Sequence, residues 1–129
     1  MMTAIFTQVG LGSWVSYVPT IQSTGGTWTT GATLNQARYR RVGRTCLAYG
    51  DFTLGNVAGG TTGIDFGLPF SGRVGFFFQG HGIHFDTFNI MSATVSYTGP
   101  GFATLRLSGG GNPAVTNGRY FVQVEYEMP

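Results

Sequence analysis

The sequence predicts an all-β fold, an antiparallel β-sandwich of the jelly-roll kind with about eight short strands. Turn-forming Gly, Pro and Asn clusters recur at roughly 8–12-residue spacing, the pattern of a sandwich or jelly roll. Aromatic and β-branched residues dominate the stretches between them. The 22 glycines and 5 prolines in 129 residues leave little room for helices of useful length. No repeat period emerges, which disfavours a solenoid or β-helix.

Taken in chain order, Trp14–Val18 alternates and stops at Pro19, as a short edge strand does. Residues 20–33 are rich in Thr and Gly around Trp28 and predict a loop or irregular arm. Gln36–Arg41 and Arg44–Leu54 predict two strands joined at Val42-Gly43. In the second, Cys46, Ala48, Gly50, Phe52 and Leu54 share one face, while Thr45, Leu47, Tyr49, Asp51 and Thr53 take the other. A loop over 55–63 follows, and Ile64, Phe66 and Leu68 alternate toward Pro69. Arg73–Gln79 predicts a strand apolar on both faces through Phe76, Phe77 and Phe78, which then needs cover on both sides. Gly80–Gly82 predicts a turn, with strands at Ile83–Asn89, Met91–Tyr97 and Phe102–Leu107. The last strand turns Tyr120, Val122, Val124 and Tyr126 to one side and Arg119, Gln123, Glu125 and Glu127 to the other.

The length fits one domain over residues 1–129, with an arm and first strand over 1–33 and a core over 34–129. Such a chain buries enough apolar surface to fold without a disulfide or metal, and the lone Cys46 reads as a small buried hydrophobe. Only 9% of residues are charged, against about 25% in ordinary soluble domains. With 42% hydrophobic residues this is not disorder, so neighbouring subunits are expected to cover part of the surface. The first ten residues lack the basic and long apolar parts of a signal peptide, and no run is long enough to span a membrane. A soluble product of the cytoplasm, with no membrane partner, is expected.

All seven basic residues are Arg. Non-specific phosphate binding usually recruits Lys with Arg in one dense patch, so a nucleic-acid partner is not expected. Arg alone suits planar contacts at an interface. The densest group is Arg38, Arg40, Arg41 and Arg44; on a strand Arg38 and Arg40 share a face and Arg41 points away, which favours a fold-defining or subunit contact. His81 and His84 could meet a metal within one chain, with Asp86 as a third donor, only if Gly80–Gly82 turns them together. One His per subunit at a trimer axis is the other route, and no metal is expected. The acids Asp51, Asp65, Asp86, Glu125 and Glu127 sit in no catalytic motif, and neither a nucleophile elbow nor a phosphate loop is present. The expectation is a non-enzyme without cofactor. Trp28 and the Phe76–Phe78 run are the aromatic candidates for a partner protein or a glycan.

The string Ala37-Arg38-Tyr39-Arg40-Arg41-Val42-Gly43-Arg44-Thr45, preceded by Trp14 and by Tyr17-Val18-Pro19-Thr20, resembles a jelly-roll domain of tailed-bacteriophage structural proteins. Tyr49–Gly55, Gly63–Phe70 and Gly118–Tyr126 extend the resemblance over nearly the whole chain. It implies a virion protein exposed on the particle and made in the host cytoplasm. It also implies a homotrimer contacting the major capsid protein or a tail protein. Because the domain begins close to Met1, without a stalk, a capsid decoration (cement) protein is expected first. A receptor-binding head of a tail fibre or baseplate, reading a host surface glycan, is the alternative.

Overall fold

A computed structural model describes residues 13–24, 31–57, 63–96, 101–107 and 113–129. Nine strands and no helix occur among them. They are β1 (Val15–Ser16), β2 (Ile21–Thr24), β3 (Thr33–Val42), β4 (Thr45–Thr53) and β5 (Gly63–Gly67), then β6 (Phe78–His84), β7 (Asn89–Val95), β8 (Phe102–Leu107) and β9 (Arg119–Glu127). Every pairing is antiparallel, and one hydrogen-bonded order, β1-β3-β4-β9-β6-β7-β8-β5-β2, connects all nine. Strands β6, β7 and β8 form a meander and β5 returns beside β8, a Greek-key arrangement.

The sheet has to curl. Its two edges, β1 and β2, are separated by only the four residues Tyr17–Thr20. A chain that short spans at most about 17 Å, whereas a flat sheet of this width would hold its edges roughly 40 Å apart. The connecting segment ties the two ends together. Tyr17 N donates to Ala37 O (3.1 Å) on the β3 side, and Tyr17 Oη donates to Gly67 O (2.9 Å) on the β5 side. Gly67 N closes the loop by donating to Thr20 O at 2.7 Å.

Curling brings the inner faces together. Alternation on β4 and β9 sends Cys46, Ala48, Phe52, Tyr120, Val122, Val124 and Tyr126 inward, where all are buried. They meet Ile64 and Phe66 of β5, Met91, Ala93 and Val95 of β7, and Leu105 of β8. Phe52 stacks on Phe66 at 5.9 Å and on Tyr120 at 5.7 Å, so strands far apart in the order touch across the interior. Gly50 makes this possible, because a Cβ there would collide with the Phe66 ring. The hydroxyls at the ends of β9 hold loops. Tyr120 Oη donates to Pro113 O (2.6 Å), and Tyr126 Oη donates to Phe70 O (2.7 Å).

The inward and outward faces of β4 and β9 and the span of β8 agree with the sequence expectations. Three assignments differ. Residues 21–24, expected in the irregular arm, form β2; the strand is short and polar, and pairing with β5 makes it. Arg73–Phe77 is not a strand, and β6 begins at Phe78 and runs straight through the expected turn Gly80–Gly82. These glycines serve close packing: a Cβ on Gly80 would strike the Gln123 carbonyl, and one on Gly82 would lie 2.7 Å from Leu105 Cδ2. The reversal instead falls at Phe85–Phe88, with His84 opposite Asn89 and Phe88 at a φ of 55°.

Candidate functional site

The outward faces of β3, β4, β9 and β6 form one surface, and strand register aligns its side chains in a row. Arg38 pairs with Tyr49, Tyr49 with Gln123, and Gln123 with His81. Trp14, just before β1, lies over the Arg end of this row. The guanidinium carbons of Arg38 and Arg40 stand 4.8 and 4.9 Å from the Trp14 ring centre, and Arg38 is also 5.5 Å from that of Tyr49. Two residues apart on one strand, both arginines take the same face.

Trp14, Arg38, Arg40, Leu47, Tyr49 and Gln123 line a cavity of about 310 Å³. A second hollow of about 140 Å³ lies between Tyr49, His81, Ile83, Phe121 and Gln123. They share Tyr49 and Gln123 and so make one groove across the strands. Stacking uses the flat face of each guanidinium and leaves its edge N–H groups to find acceptors. The Nε atoms of Arg38 and Arg40 are buried and have no hydrogen-bond partner among the described residues.

The four arginines of the sequence cluster are divided. Arg38 and Arg40 meet at Trp14, Arg41 stacks on Phe70 at 4.8 Å, and Arg44 is exposed beside Gly43 in the β3–β4 turn. None of them makes an ion pair among the described residues. The acids are drawn to other sites. Arg119 grips Asp51 with two bonds, Nε to Oδ1 at 3.0 Å and Nη2 to Oδ2 at 2.7 Å, and Asn35 adds a third at 3.1 Å. The Arg119 hydrogen bonds, against the opposing effect of burial, hold the Asp51 carboxyl below its ordinary range. Asp65 accepts from the hydroxyls of Thr24 and Thr104, each at 2.7 Å. Arg73 pairs with Glu127 at 2.8 Å.

The two histidines diverge because β6 stays extended between them. His81 faces the groove, while His84 is buried, stacked on Tyr120 at 4.8 Å and 2.9 Å from Thr87 Oγ1. Asp86 lies near His84 at 3.6 Å, not near His81. No cluster of three potential metal ligands occurs among the described residues.

Trp28 lies outside the described residues. The Phe76–Phe78 run is not sandwiched as a doubly covered strand would be: Phe76 and Phe77 are 47% and 62% exposed, and Phe78 is half-buried against Tyr126. Arg73 stacks on Phe76 at 4.7 Å. Sequence reasoning missed a second apolar patch. Phe85, Phe88 and Ile90 are 43%, 71% and 70% exposed around the β6–β7 turn, and Phe85 meets Phe121 at 5.6 Å. The odd-numbered outward phase of β9 and the Phe85–Phe88 pair carried the signal, hidden because Ile83–Asn89 looked like a strand. Trp14 was missed as a site residue as well. Its two arginine partners lie more than twenty residues away, and only the β1–β3 pairing brings them together.

The chain matches no family model, no curated protein and no solved structure.

Proposed function

We propose that the chain is a non-enzymatic structural protein of a tailed-phage virion, a jelly-roll-type subunit that trimerises on the particle surface as capsid decoration. The observation that carries this reading is the apolar patch of Phe85, Phe88 and Ile90 beside Phe121, which continues toward Ile83 on the outer face. Large contiguous apolar surface on a soluble protein marks contact with another protein. The low charge of the chain, 9% of residues, fits a surface that neighbours cover. Three of the five carboxylates, Asp51, Asp65 and Glu127, are held by structural hydrogen bonds or ion pairs, which favours the non-enzymatic reading.

The test is to add purified protein to undecorated, expanded capsids and to weigh it alone by sedimentation equilibrium. Stoichiometric capsid binding and a trimer mass are expected; a persistent monomer that ignores capsids overturns the reading. A second reading, the receptor-binding head of a fibre or baseplate, is favoured by the Trp14–Tyr49 groove. Adsorption of the protein to host cells distinguishes the two.

A further inference from the structure

We infer that the Trp14–Arg38–Arg40–Tyr49 pocket binds a carboxylate-bearing saccharide. Two guanidiniums converge on one aromatic ring, yet neither has a carboxylate partner among the described residues. Their Nε atoms are shielded and without acceptors among the described residues. Both side chains are only partly buried, so the outer guanidinium N–H groups are the donors an incoming anion meets. The pair thus selects for negative charge, and the planar guanidinium edge matches a carboxylate in two-bond geometry.

Charge alone does not separate a sugar acid from an acidic peptide; the remaining lining does. Trp14 stays 42% exposed while holding both arginines, so aromatic surface remains for the apolar face of a sugar ring. Tyr49 and Gln123 add a second ring and a two-way hydrogen-bonding amide at the cavity wall. The volume of about 310 Å³ lies at the small end of sites for small molecules. The adjoining hollow at His81 and Phe121 shares Tyr49 and Gln123, so the next sugar of a polymer has a neighbouring seat. The lining residues named all belong to one chain, and the inference does not depend on the trimer reading.

The experiment titrates the full chain, carrying Trp28→Phe so that Trp14 alone reports by fluorescence. The probes are tri-galacturonate, its carboxyl-reduced galactose counterpart and tetra-glutamate. Tri-galacturonate is expected to change the Trp14 signal saturably, with affinity falling as salt rises. Arg38→Gln and Arg40→Gln are each expected to weaken binding at least tenfold, the loss of one charge-assisted contact. Arg40→Lys, which keeps the charge, is expected to recover only part of it. Equal binding of the reduced sugar overturns the anion half of the inference. Tighter binding of tetra-glutamate overturns it in favour of an acidic peptide, and no response to any probe overturns it outright. Circular dichroism of each variant separates lost binding from lost folding.

Discussion

Single residues in this molecule are constrained mainly by what touches them, and Asp51 is the clearest case. Its carboxylate is buried, and its charge is tolerated only because Arg119 and Asn35 supply three hydrogen bonds. The folded group titrates below its ordinary value near 3.8, chiefly through the Arg119 bonds. The pair therefore contributes stability in full above that value and loses it as pH falls through the lower, folded one. Asp51→Asn is expected to lower the melting temperature at neutral pH. The gap to the parent should narrow in acid, and a gap independent of pH would show that the ion pair contributes nothing. Tyr120 gives the alkaline counterpart. Burial pushes its hydroxyl up to about 12, so the stabilisation it brings holds below its unfolded value near 10 and fades as pH rises beyond it. Tyr120→Phe removes the bonds to Pro113 O and Val115 N and should cost about 1–3 kcal/mol in urea unfolding at neutral pH.

At the level of elements, the β6–β7 hairpin departs most from what its sequence suggests. Gly80 and Gly82 carry the usual signature of a turn, but their lack of a side chain is used to let β6 lie against β9 and Leu105. Sequence alone does not separate these roles, because both need a missing Cβ and only the neighbour across the sheet decides. The alternation of Tyr120, Val122, Val124 and Tyr126 was legible for the opposite reason: β9 lies in mid-sheet with one face fully buried, so its period of two is undiluted. Gly80→Ala is expected to destabilise by roughly 1–3 kcal/mol or more, since the obstruction is backbone that cannot swing away. Gly31→Ala, where a Cβ meets nothing within 4 Å, should stay within about 0.5 kcal/mol of the parent. The turn of the same hairpin bears the exposed Phe88 and Ile90. Replacing both with Asp should leave the melting temperature within a few degrees of the parent, because these side chains contribute little to the core, and, on the proposed trimer, should abolish association in sedimentation. Association unchanged by the substitutions would count against this patch as the proposed trimer contact.

Across the whole molecule, the all-β class was written plainly in turn spacing and alternation, but the order of the strands was not. Which strands become neighbours depends on pairings such as Thr45 with Glu127, whose partners lie at opposite ends of the core. Nothing local encodes that separation. The groove shares this origin: Arg38 and Arg40 were visible as charges, but Trp14, Tyr49 and Gln123 joined them only through pairing between β1, β3, β4 and β9. With its central ladder built from such distant partners, the chain should fold slowly, on the millisecond-to-second scale of non-local β proteins. Stopped-flow refolding followed by tyrosine and tryptophan emission checks this, and a microsecond phase carrying the full amplitude would contradict it.

The segment Tyr17–Thr20 sews together two strands of unequal grip, β1 with two paired residues and β2 with four. A pull on the N-terminal end would load this seam first, peeling away a few hydrogen bonds at a time while β3 to β9 remain interlocked. A tether attached there would behave as a weak link under load, giving way at low force and leaving the curled body of the domain intact.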